Sequence, residues 1–316
     1  MPSATSATFL LPPRSRLAGR GWPEDVAKAL GRADRMPAAE AGEAAQLQRH
    51  FDLLPRGLPV AALTRQMDAG DAASGSWLRA DPAYVRPDIN GARLLAIGEG
   101  LALKAGDAEA LLPALRPLFG DTGFPIDAPV PSRWYLRLPL DAKPPRLAGP
   151  AEALGADLFD HLPEGPEGRR WRALLSEAQV VLHNHPHNAA RIAEGKPPVN
   201  SLWFWGGGRA PDHVTSACTV VAGDEPLLAA LAQVAGIPLA PLPATFVEGD
   251  GDRLFDLREQ RDATLLARDW LPPAIEAVRR GRLSRLRLDF ADGHGFLLER
   301  NQRWRFWRRP LTVPAA

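Results

Sequence analysis

The sequence predicts an α/β fold: a mixed, mostly parallel sheet flanked by helices, a smaller α+β unit and a C-terminal antiparallel hairpin region. First, "VTSACTVVAG" is followed by "EPLLAALAQVAG", a strand and a helix with Pro226 in the first helical turn and Gly236 just past the end. Second, "SLWFW" carries no charge, which is typical of a strand covered on both faces. Third, two alternating stretches flank Asp292–Gly293, a strong signal for a hairpin turn.

Changes in composition and in hydrophobic pattern along the 316 residues predict four segments. Residues 1–75 form an N-terminal α/β segment that packs on the core, with "TFLLP" as its first strand and "PEDVAKALGRAD" as its first helix. Residues 76–140 form a compact α+β unit, and the Pro- and Gly-punctuated residues 141–168 are a linker. Residues 169–316 form the α/β core with C-terminal β-hairpins.

The net charge and the lengths of the apolar runs argue against some classes of binding partner. The chain holds 38 basic and 37 acidic residues, a net charge of +1, so no global field attracts nucleic acid or an anionic membrane. No apolar run approaches the roughly 18 residues of a membrane span. The single cysteine, Cys218, excludes an intramolecular disulfide and fits a reducing compartment. We therefore expect a cytoplasmic protein with no nucleic-acid or membrane partner, and the sequence identifies no protein partner.

Three histidines alternate in "HNHPHN", at positions 183, 185 and 187. In an extended chain they would share one face, as zinc ligands do. However, Pro186 interrupts the run and opens a new helix, "PHNAARIAEG", so that the three rings point in different directions. We predict that Asn184 and His185 cap this helix and that no metal binds here.

The charge-free strand runs into "GGGR", residues 206–209. In open α/β sheets ligands bind beyond the carboxyl ends of the strands, and glycines leave backbone N–H groups open to an anion. Asn188 and Arg191 lie three residues apart and share a helix face next to this strand in sequence. The alternative is a tight turn that needs positive φ angles.

The segment from Leu175 to Pro211 resembles archaeal-type cofactor-independent phosphoglycerate mutases. Their pattern His-Pro-x-Asn-x-x-Arg-x-x-x-Gly-Lys-x-Pro-x-Asn, followed by Trp-x-Trp-Gly-x-Gly, is matched by His185, Pro186, Asn188, Arg191, Gly195, Lys196, Pro198, Asn200, Trp203, Trp205, Gly206 and Gly208. The resemblance covers roughly residues 76–245. The whole chain also resembles a group of regulatory proteins of the pathogenicity-factor cluster, type E, in plant-pathogenic bacteria, through "WLRADPAYVRPD", "RWYLRLP" and "WRFWRRP".

The resemblance implies an alkaline-phosphatase-like core, a substrate-domain-like unit at residues 76–140, two divalent metals and a phosphorylated hydroxyl nucleophile. The mutases carry an Asp-Gly-x-x-Asp metal loop after the first strand, whereas this chain reads "TFLLPPRSRLAGRG" with no acid before Glu24. Beyond residue 212 only His213 and His294 remain as histidine ligands. Two metals about 4 Å apart need five or more ligands. We therefore predict no catalytic residue, no metal and no cofactor.

The leading interpretation is a regulatory or ligand-sensing protein that keeps a mutase-like site for a small phosphorylated or anionic metabolite without the metal chemistry. The predicted ligand contacts are His185, Asn188, Arg191, Asn200, Gly206, Gly207, Gly208, Arg209 and, more weakly, Arg79.

Two alternatives remain. One is an active metal-dependent mutase or phosphatase whose ligands come from residues such as Asp81, Asp88, Asp250, Asp252, Asp256 or His213. The other is an interaction scaffold that binds no ligand and exposes Trp304, Phe306 and Trp307 at a contact surface.

Overall fold

The computed structural model describes residues 5–17, 21–89, 91–142 and 144–312. Its strands are, in chain order, β1 (Ser6–Leu11), β2 (Asp34–Arg35), β3 (Asp52–Leu54), β4 (Ser76–Asp88), β5 (Gly91–Ile97), β6 (Ile126–Val130), β7 (Arg133–Leu138), β8 (Ser201–Arg209), β9 (His213–Thr215), β10 (Val220–Ala222), β11 (Leu239–Ala240), β12 (Asp252–Asp256), β13 (Arg285–Phe290) and β14 (Gly295–Glu299). Its α-helices are α1 (Glu24–Arg32), α2 (Glu43–Gln48), α3 (Val60–Ala69), α4 (Ala105–Asp121), α5 (Pro150–Ala153), α6 (Gly165–His183), α7 (Pro186–Ala193), α8 (Pro226–Val234), α9 (Ala263–Leu265) and α10 (Leu271–Arg280). They form two compact units, one from residues 1–56 and 212–316 and one from residues 57–211.

The first unit is built on a seven-stranded sheet in the order β11-β10-β12-β1-β13-β14-β2. The strands from β11 to β13 are parallel, and β14 pairs antiparallel with both β13 and β2. The predicted mixed, mostly parallel sheet flanked by helices is confirmed. The C-terminal hairpin is confirmed too, and its turn contains Gly293 at φ +82°.

One face of this sheet carries the apolar core of the first unit. Alternate residues of β1, β12 and β13, among them Phe9, Phe255 and Leu288, are buried there with side chains of α1 and α10. Phe9 packs edge-on against Trp270 at a ring-centroid distance of 5.5 Å. Since side chains alternate along a strand, the residues between these core positions project from the opposite face.

The second unit is an antiparallel sheet in the order β5-β4-β7-β6, with β8 paired to the other edge of β4. The long strand β4 pairs with β7 through its first half and with β5 through its second half. Helices α4 and α6 contribute to one apolar cluster with this sheet, and α3 packs against β4 and β8. This unit is the smaller α+β part of the predicted fold.

The structure corrects the prediction that "SLWFW" is a central strand of a parallel sheet. Strand β8 is antiparallel to β4, from Ala83 opposite Ser201 to Ser76 opposite Arg209. Residues 169–211 therefore belong with residues 76–140, and the two units differ from the predicted segments, which divide at residues 75, 140 and 168. Among the described residues, no helix is long and apolar enough to cross a membrane.

Candidate functional site

The carboxyl ends of the parallel strands in the first unit bring two aspartates to one edge of the sheet. Asp256 on β12 and Asp289 on β13 are both in register with Leu10 of β1, which lies between them. Their neighbours along each strand belong to the apolar core, so both carboxylates project from the opposite face. One intervening strand separates their Cα atoms by about 10 Å. In open α/β sheets this edge is where ligands bind.

Asp289 is held by the segment that follows α2. Its carboxylate accepts hydrogen bonds from Arg49, at 3.1 Å from Nε and 2.7 Å from Nη2, and from His50 Nε2 at 2.7 Å. Gln46 of α2 donates to the Asp289 carbonyl at 2.6 Å and to the Leu11 carbonyl at 3.1 Å. Burial alone would raise the pKa of Asp289, but the hydrogen bonds from His50 and Arg49 outweigh it and lower the pKa below its usual range. Asp289 is thus a buried, ionised and fully engaged carboxylate.

Asp256 is held by an arginine two residues further along the chain. Arg258 donates from Nε to one carboxylate oxygen at 2.8 Å and from Nη2 to the other at 2.6 Å. The same guanidinium lies 3.2 Å from Glu225, the residue that caps α8. Both members of the Asp256–Arg258 pair are buried, with side chains 6% exposed. Burial disfavours the charged guanidinium, yet the hydrogen bond to Asp256 raises the pKa of Arg258 above its ordinary value.

The loop that follows β1 carries Arg14 where the family resemblance implies a metal-binding acid. Arg14 donates through Nε to Asp292 in the β13–β14 turn at 2.8 Å. The Asp292-Gly293-His294 sequence, which mimics a metal-binding Asp-x-His pair, therefore contributes its carboxylate to an arginine, and the His294 side chain is 51% exposed.

These contacts decide whether two divalent metals fit this edge. Within residues 5–17, 21–89, 91–142 and 144–312, no group of three or more His, Cys, Asp or Glu side chains is arranged to hold a metal ion. A carboxylate that already accepts from a bidentate guanidinium has its oxygens occupied, and the fixed positive charge repels a cation. The donor set does not fit the metal pair that the family resemblance implies.

The other acids considered for the enzymatic alternative are also engaged or dispersed. Asp81 pairs with Arg79, Asp88 pairs with Arg93, Asp252 accepts a hydrogen bond from Ser6, and His213 is exposed on β9.

In the second unit, the predicted capping role of His185 is confirmed. Its Nδ1 accepts from the backbone N–H of His187 at 3.3 Å, at the start of α7. His187 instead turns its Nε2 toward Asp107 of α4, at 2.7 Å. Asp107 is the third residue of α4, and its carboxylate accepts from the backbone N–H of Lys104, the N-cap residue, at 2.8 Å.

Asn188 and Arg191 share a buried face of α7 and are engaged by the unit itself. The Asn188 amide donates to the carbonyls of Leu182 and Val199 and accepts from the Val199 N–H, each at 2.8 Å. Arg191, 1% exposed, donates to the carbonyl of Leu101 at 2.9 Å and that of Pro197 at 3.1 Å. Its Nη1 also lies 3.0 Å from Asp107. These contacts tie α7 to its neighbouring segments.

Asn200 and the glycines belong to the β4–β8 pairing. The side-chain oxygen of Asn200 accepts from the Val85 N–H at 2.9 Å, and its amide nitrogen donates to the Val85 carbonyl at 2.7 Å. Asn200 thus adds one pair of hydrogen bonds to those that join β4 and β8. The glycines do not form an open turn after a strand; they lie inside β8. A Cβ at Gly206 would lie 2.9 Å from Val60, and one at Gly208 would lie 2.8 Å from Pro59, which shows that close packing on the α3 region requires glycine. Gly206 also has φ +66°.

The remaining glycine of the triplet and the two predicted arginines lie in different surroundings. A Cβ at Gly207 would lie 2.9 Å from Leu78. Arg209 ends β8 with an exposed side chain. Arg79 is buried, 2.8 Å from Asp81, with its guanidinium 5.3 Å from the ring of Tyr135. Burial raises the pKa of Asp81, against the opposing effects of Arg79 and Trp205.

Sequence reasoning did not identify Arg49, His50, Arg258 or Asp289, and it named Asp256 only as a metal ligand. A signal for the aspartates was present, because "RLFD" and "RLRLDF" are short strand-like stretches with Asp at or next to their carboxyl end. No local pattern pointed to Arg49 and His50, since their partner lies 240 and 239 residues away.

The ion pair at Asp107 should make the stability of the second unit depend on pH in the acid range. Burial opposes the charge of Asp107, but hydrogen bonds from the Lys104 N–H and His187, together with the nearby Arg191 guanidinium, lower its pKa from 3.8 to about 2. Because the folded pKa is depressed, this contribution is present above the unfolded pKa and is lost as pH falls toward 2. We expect Asp107→Asn to cost about 2 kcal/mol above the unfolded pKa and progressively less below it.

Urea denaturation of both proteins across that acid range measures this difference. Glu109→Gln, which removes an exposed carboxylate from the same helix, is the matched control and should leave stability nearly unchanged. A cost for Asp107→Asn that does not vary with pH would contradict the assignment.

Comparison with known sequences finds relatives of one segment of the chain. No family model matches the chain. It is 44% identical over 62 residues to a probable 2,3-bisphosphoglycerate-independent phosphoglycerate mutase of Geobacter sulfurreducens, which is 20% of this chain and 16% of that protein. It is 42% identical over 66 residues to the corresponding mutase of Methanosarcina acetivorans, 21% of this chain and 17% of that one.

Two solved structures are similar over most of the chain at low identity. A cofactor-independent phosphoglycerate mutase of Thermoplasma acidophilum shares 16% identity at a TM-score of 0.43, over 94% of this chain and 90% of that one. A Pyrococcus horikoshii protein shares 13% identity at a TM-score of 0.44, over 95% and 88% of the two chains. The curated relatives are matched over about a sixth of their length, 16% and 17%. A segment of about a fifth of this chain, 20% to 21%, is therefore similar to cofactor-independent phosphoglycerate mutases.

Proposed function

We propose that this chain is a cytoplasmic regulatory or ligand-sensing relative of the cofactor-independent phosphoglycerate mutases that does not carry out metal-dependent phosphoryl transfer. The proposal rests on the hydrogen bonding of Asp256 and Asp289 at the sheet edge, because each carboxylate accepts two hydrogen bonds from an arginine. The resemblance to the regulatory proteins of the pathogenicity-factor cluster, type E, supports the same assignment.

The charges at this sheet edge oppose a two-metal centre. A two-metal centre stabilises phosphoryl transfer only when several free carboxylate and imidazole ligands hold both ions about 4 Å apart. In the first unit, Arg258 and Arg49 neutralise Asp256 and Asp289 within the protein. Removing these arginines from their partners would leave buried charges uncompensated, so the pairs are expected to persist in the presence of divalent ions.

The ligand we propose is a small phosphorylated acid, because the relatives with the similar segment are named as phosphoglycerate mutases. Of the predicted contacts, Arg209 is exposed and His185 is partly exposed, so both remain accessible to such a ligand. Contacts through Asn188 or Arg191 would require their present hydrogen bonds to break. We therefore expect the charge of Arg209 to contribute more to binding than the buried side chains.

The experiment combines turnover and binding. Purified protein is incubated with phosphoglycerate and Mn²⁺, with the Geobacter sulfurreducens relative as the positive control, and its Tm is followed over a phosphoglycerate titration. We expect no turnover and a saturable rise in Tm that Arg209→Gln weakens. Turnover that a chelator abolishes would support an enzyme instead. The absence of both turnover and binding would favour an interaction scaffold.

A further inference from the structure

The C-terminal segment combines aromatic and basic side chains without any acid. Residues 300–309, "RNQRWRFWRR", hold five arginines and three aromatic residues. We call six exposed residues of this segment the aromatic–arginine patch: Arg300, Arg303, Trp304, Phe306, Trp307 and Arg309.

The aromatic rings of the patch are far more exposed than the other tryptophans of this chain. Trp304 is 64% exposed, Phe306 77% and Trp307 69%. Six of the other seven tryptophans are buried, with exposures of 7% or less. Large exposed apolar groups next to one another mark an interaction site more often than chance.

The patch is firmly anchored to the first unit. After the exposed stretch, Leu311 is buried and donates its N–H to the Ala27 carbonyl at 2.9 Å. Within the stretch, Arg305 pairs with Asp34, and Arg308 donates to the Ala33 carbonyl at 2.7 Å. The backbone is therefore tied down on both sides of Phe306 and Trp307, so that the unit presents these rings outward.

A shallow groove with a basic rim adjoins the patch. It encloses about 40 Å³ and has an apolar floor made by Ala29, Ile275, Val278 and Leu298. Arg300 and Arg303 of the patch line it together with Arg32 and Arg279. The basic surface thus extends beyond the segment itself, and one acid, Glu299, is among its lining residues.

We propose that the aromatic–arginine patch docks on an anionic phospholipid surface. Tryptophan and phenylalanine insert at the boundary between headgroups and acyl chains, and arginines bind the lipid phosphates. The net charge of +1 for the whole chain, from which we expected no membrane partner, averages over a local excess of positive charge.

Single-stranded nucleic acid is the other polyanion that aromatic and basic residues bind, and the ring geometry disfavours it. Successive bases stack on open, flat aromatic faces. Here Phe306 and Trp307 are nearly perpendicular, with an interplanar angle of 79° at 5.5 Å, and the guanidinium of Arg303 lies 4.8 Å over the ring of Trp304. Insertion into a bilayer interface needs no such parallel platform.

The test is co-sedimentation of the full chain with vesicles at physiological salt. One set contains equal parts of phosphatidylcholine and phosphatidylglycerol, and the other contains phosphatidylcholine alone. We expect binding to the mixed vesicles only, and release at high salt. Arg300→Gln/Arg303→Gln/Arg309→Gln should lower the affinity about a hundredfold, since each arginine near an anionic surface contributes about fivefold.

Phe306→Ala/Trp307→Ala should weaken binding independently, and it should reduce the blue shift of tryptophan fluorescence on adding vesicles, because Trp304 remains as the only exposed tryptophan of the patch. Two variants in the second unit are matched controls: Arg86→Gln/Arg116→Gln/Arg146→Gln removes the same charge from exposed positions, and Phe159→Ala removes a ring that is 61% exposed. Equal losses in the control triple variant, or no binding of the wild type to mixed vesicles, would overturn the proposal. Binding to a single-stranded oligonucleotide without binding to vesicles would overturn it in favour of nucleic acid.

Discussion

Replacing Arg191 with methionine should destabilise the second unit by about 3–5 kcal/mol, the usual cost of breaking a buried ion pair from one side. The guanidinium is 1% exposed and lies 3.0 Å from Asp107. Methionine keeps most of the volume of the side chain but leaves the carboxylate without its arginine. It also leaves the carbonyls of Leu101 and Pro197 without their side-chain donor. Urea denaturation followed by circular dichroism measures the change in the free energy of unfolding.

Arg209→Met is the matched control, because it removes another arginine predicted to contact a ligand, at an exposed position. We expect that variant to stay within about 0.5 kcal/mol of the wild type. If Arg191→Met were as stable as the wild type and only lost affinity for phosphoglycerate, Arg191 would be a ligand contact and our structural assignment would be wrong.

Replacing Arg258 with methionine should destabilise the first unit by a similar amount, about 3–5 kcal/mol. Asp256, with a side-chain exposure of 6%, would then lose its two hydrogen bonds from the guanidinium and remain buried without its partner. Glu225 would lose the same partner at 3.2 Å. The free energy of unfolding of the first unit, from urea denaturation, reports this cost.

A double-mutant cycle separates the ion pair from the packing of the two side chains. In Asp256→Asn/Arg258→Met no buried charge is left alone, so the double variant should recover part of the loss, with a coupling energy of about 2 kcal/mol. Arg261→Met, at an exposed position shortly after β12, should cost little. Additive effects of the two single replacements would show that Arg258 does not neutralise Asp256.

The parts of the fold that sequence alone predicted depend on local signals. The first strand, β1, follows from one apolar run that ends at two prolines. The β13–β14 hairpin follows from Asp292–Gly293, since a turn with positive φ angles favours these residues. Helix α7 begins at Pro186 and has His185 as its cap, as its sequence indicates. In each case the residues that determine the structure lie within a few positions of one another.

The orientation of β8 could not be predicted in this way. A strand without charges fits a parallel or an antiparallel sheet equally well, and the partner of β8 is β4, more than a hundred residues earlier in the chain. The same ambiguity led us to place Gly206 to Gly208 at an open strand end. Their actual role depends on α3, whose Val60 lies where a side chain at Gly206 would have to fit.

The candidate site shows a similar division. The Asp256–Arg258 pair is separated by two positions, which places both side chains on one side of an extended chain, and that pairing was open to sequence reasoning. The Asp289–Arg49 pair joins β13 to the residue that follows α2, 240 positions earlier in the chain, and no local pattern links the two.

The central claim is that Arg49 and Arg258 occupy the sheet-edge carboxylates and so prevent metal binding. Isothermal titration calorimetry of the purified protein with Mn²⁺ and Zn²⁺ tests it most directly. Asp256→Asn and Asp289→Asn are the variants to compare, since each removes one of the carboxylates at issue. We expect no stoichiometric high-affinity site in the wild type and no change in either variant. Two equivalents of tightly bound metal, lost in the Asp256→Asn or Asp289→Asn protein, would contradict it.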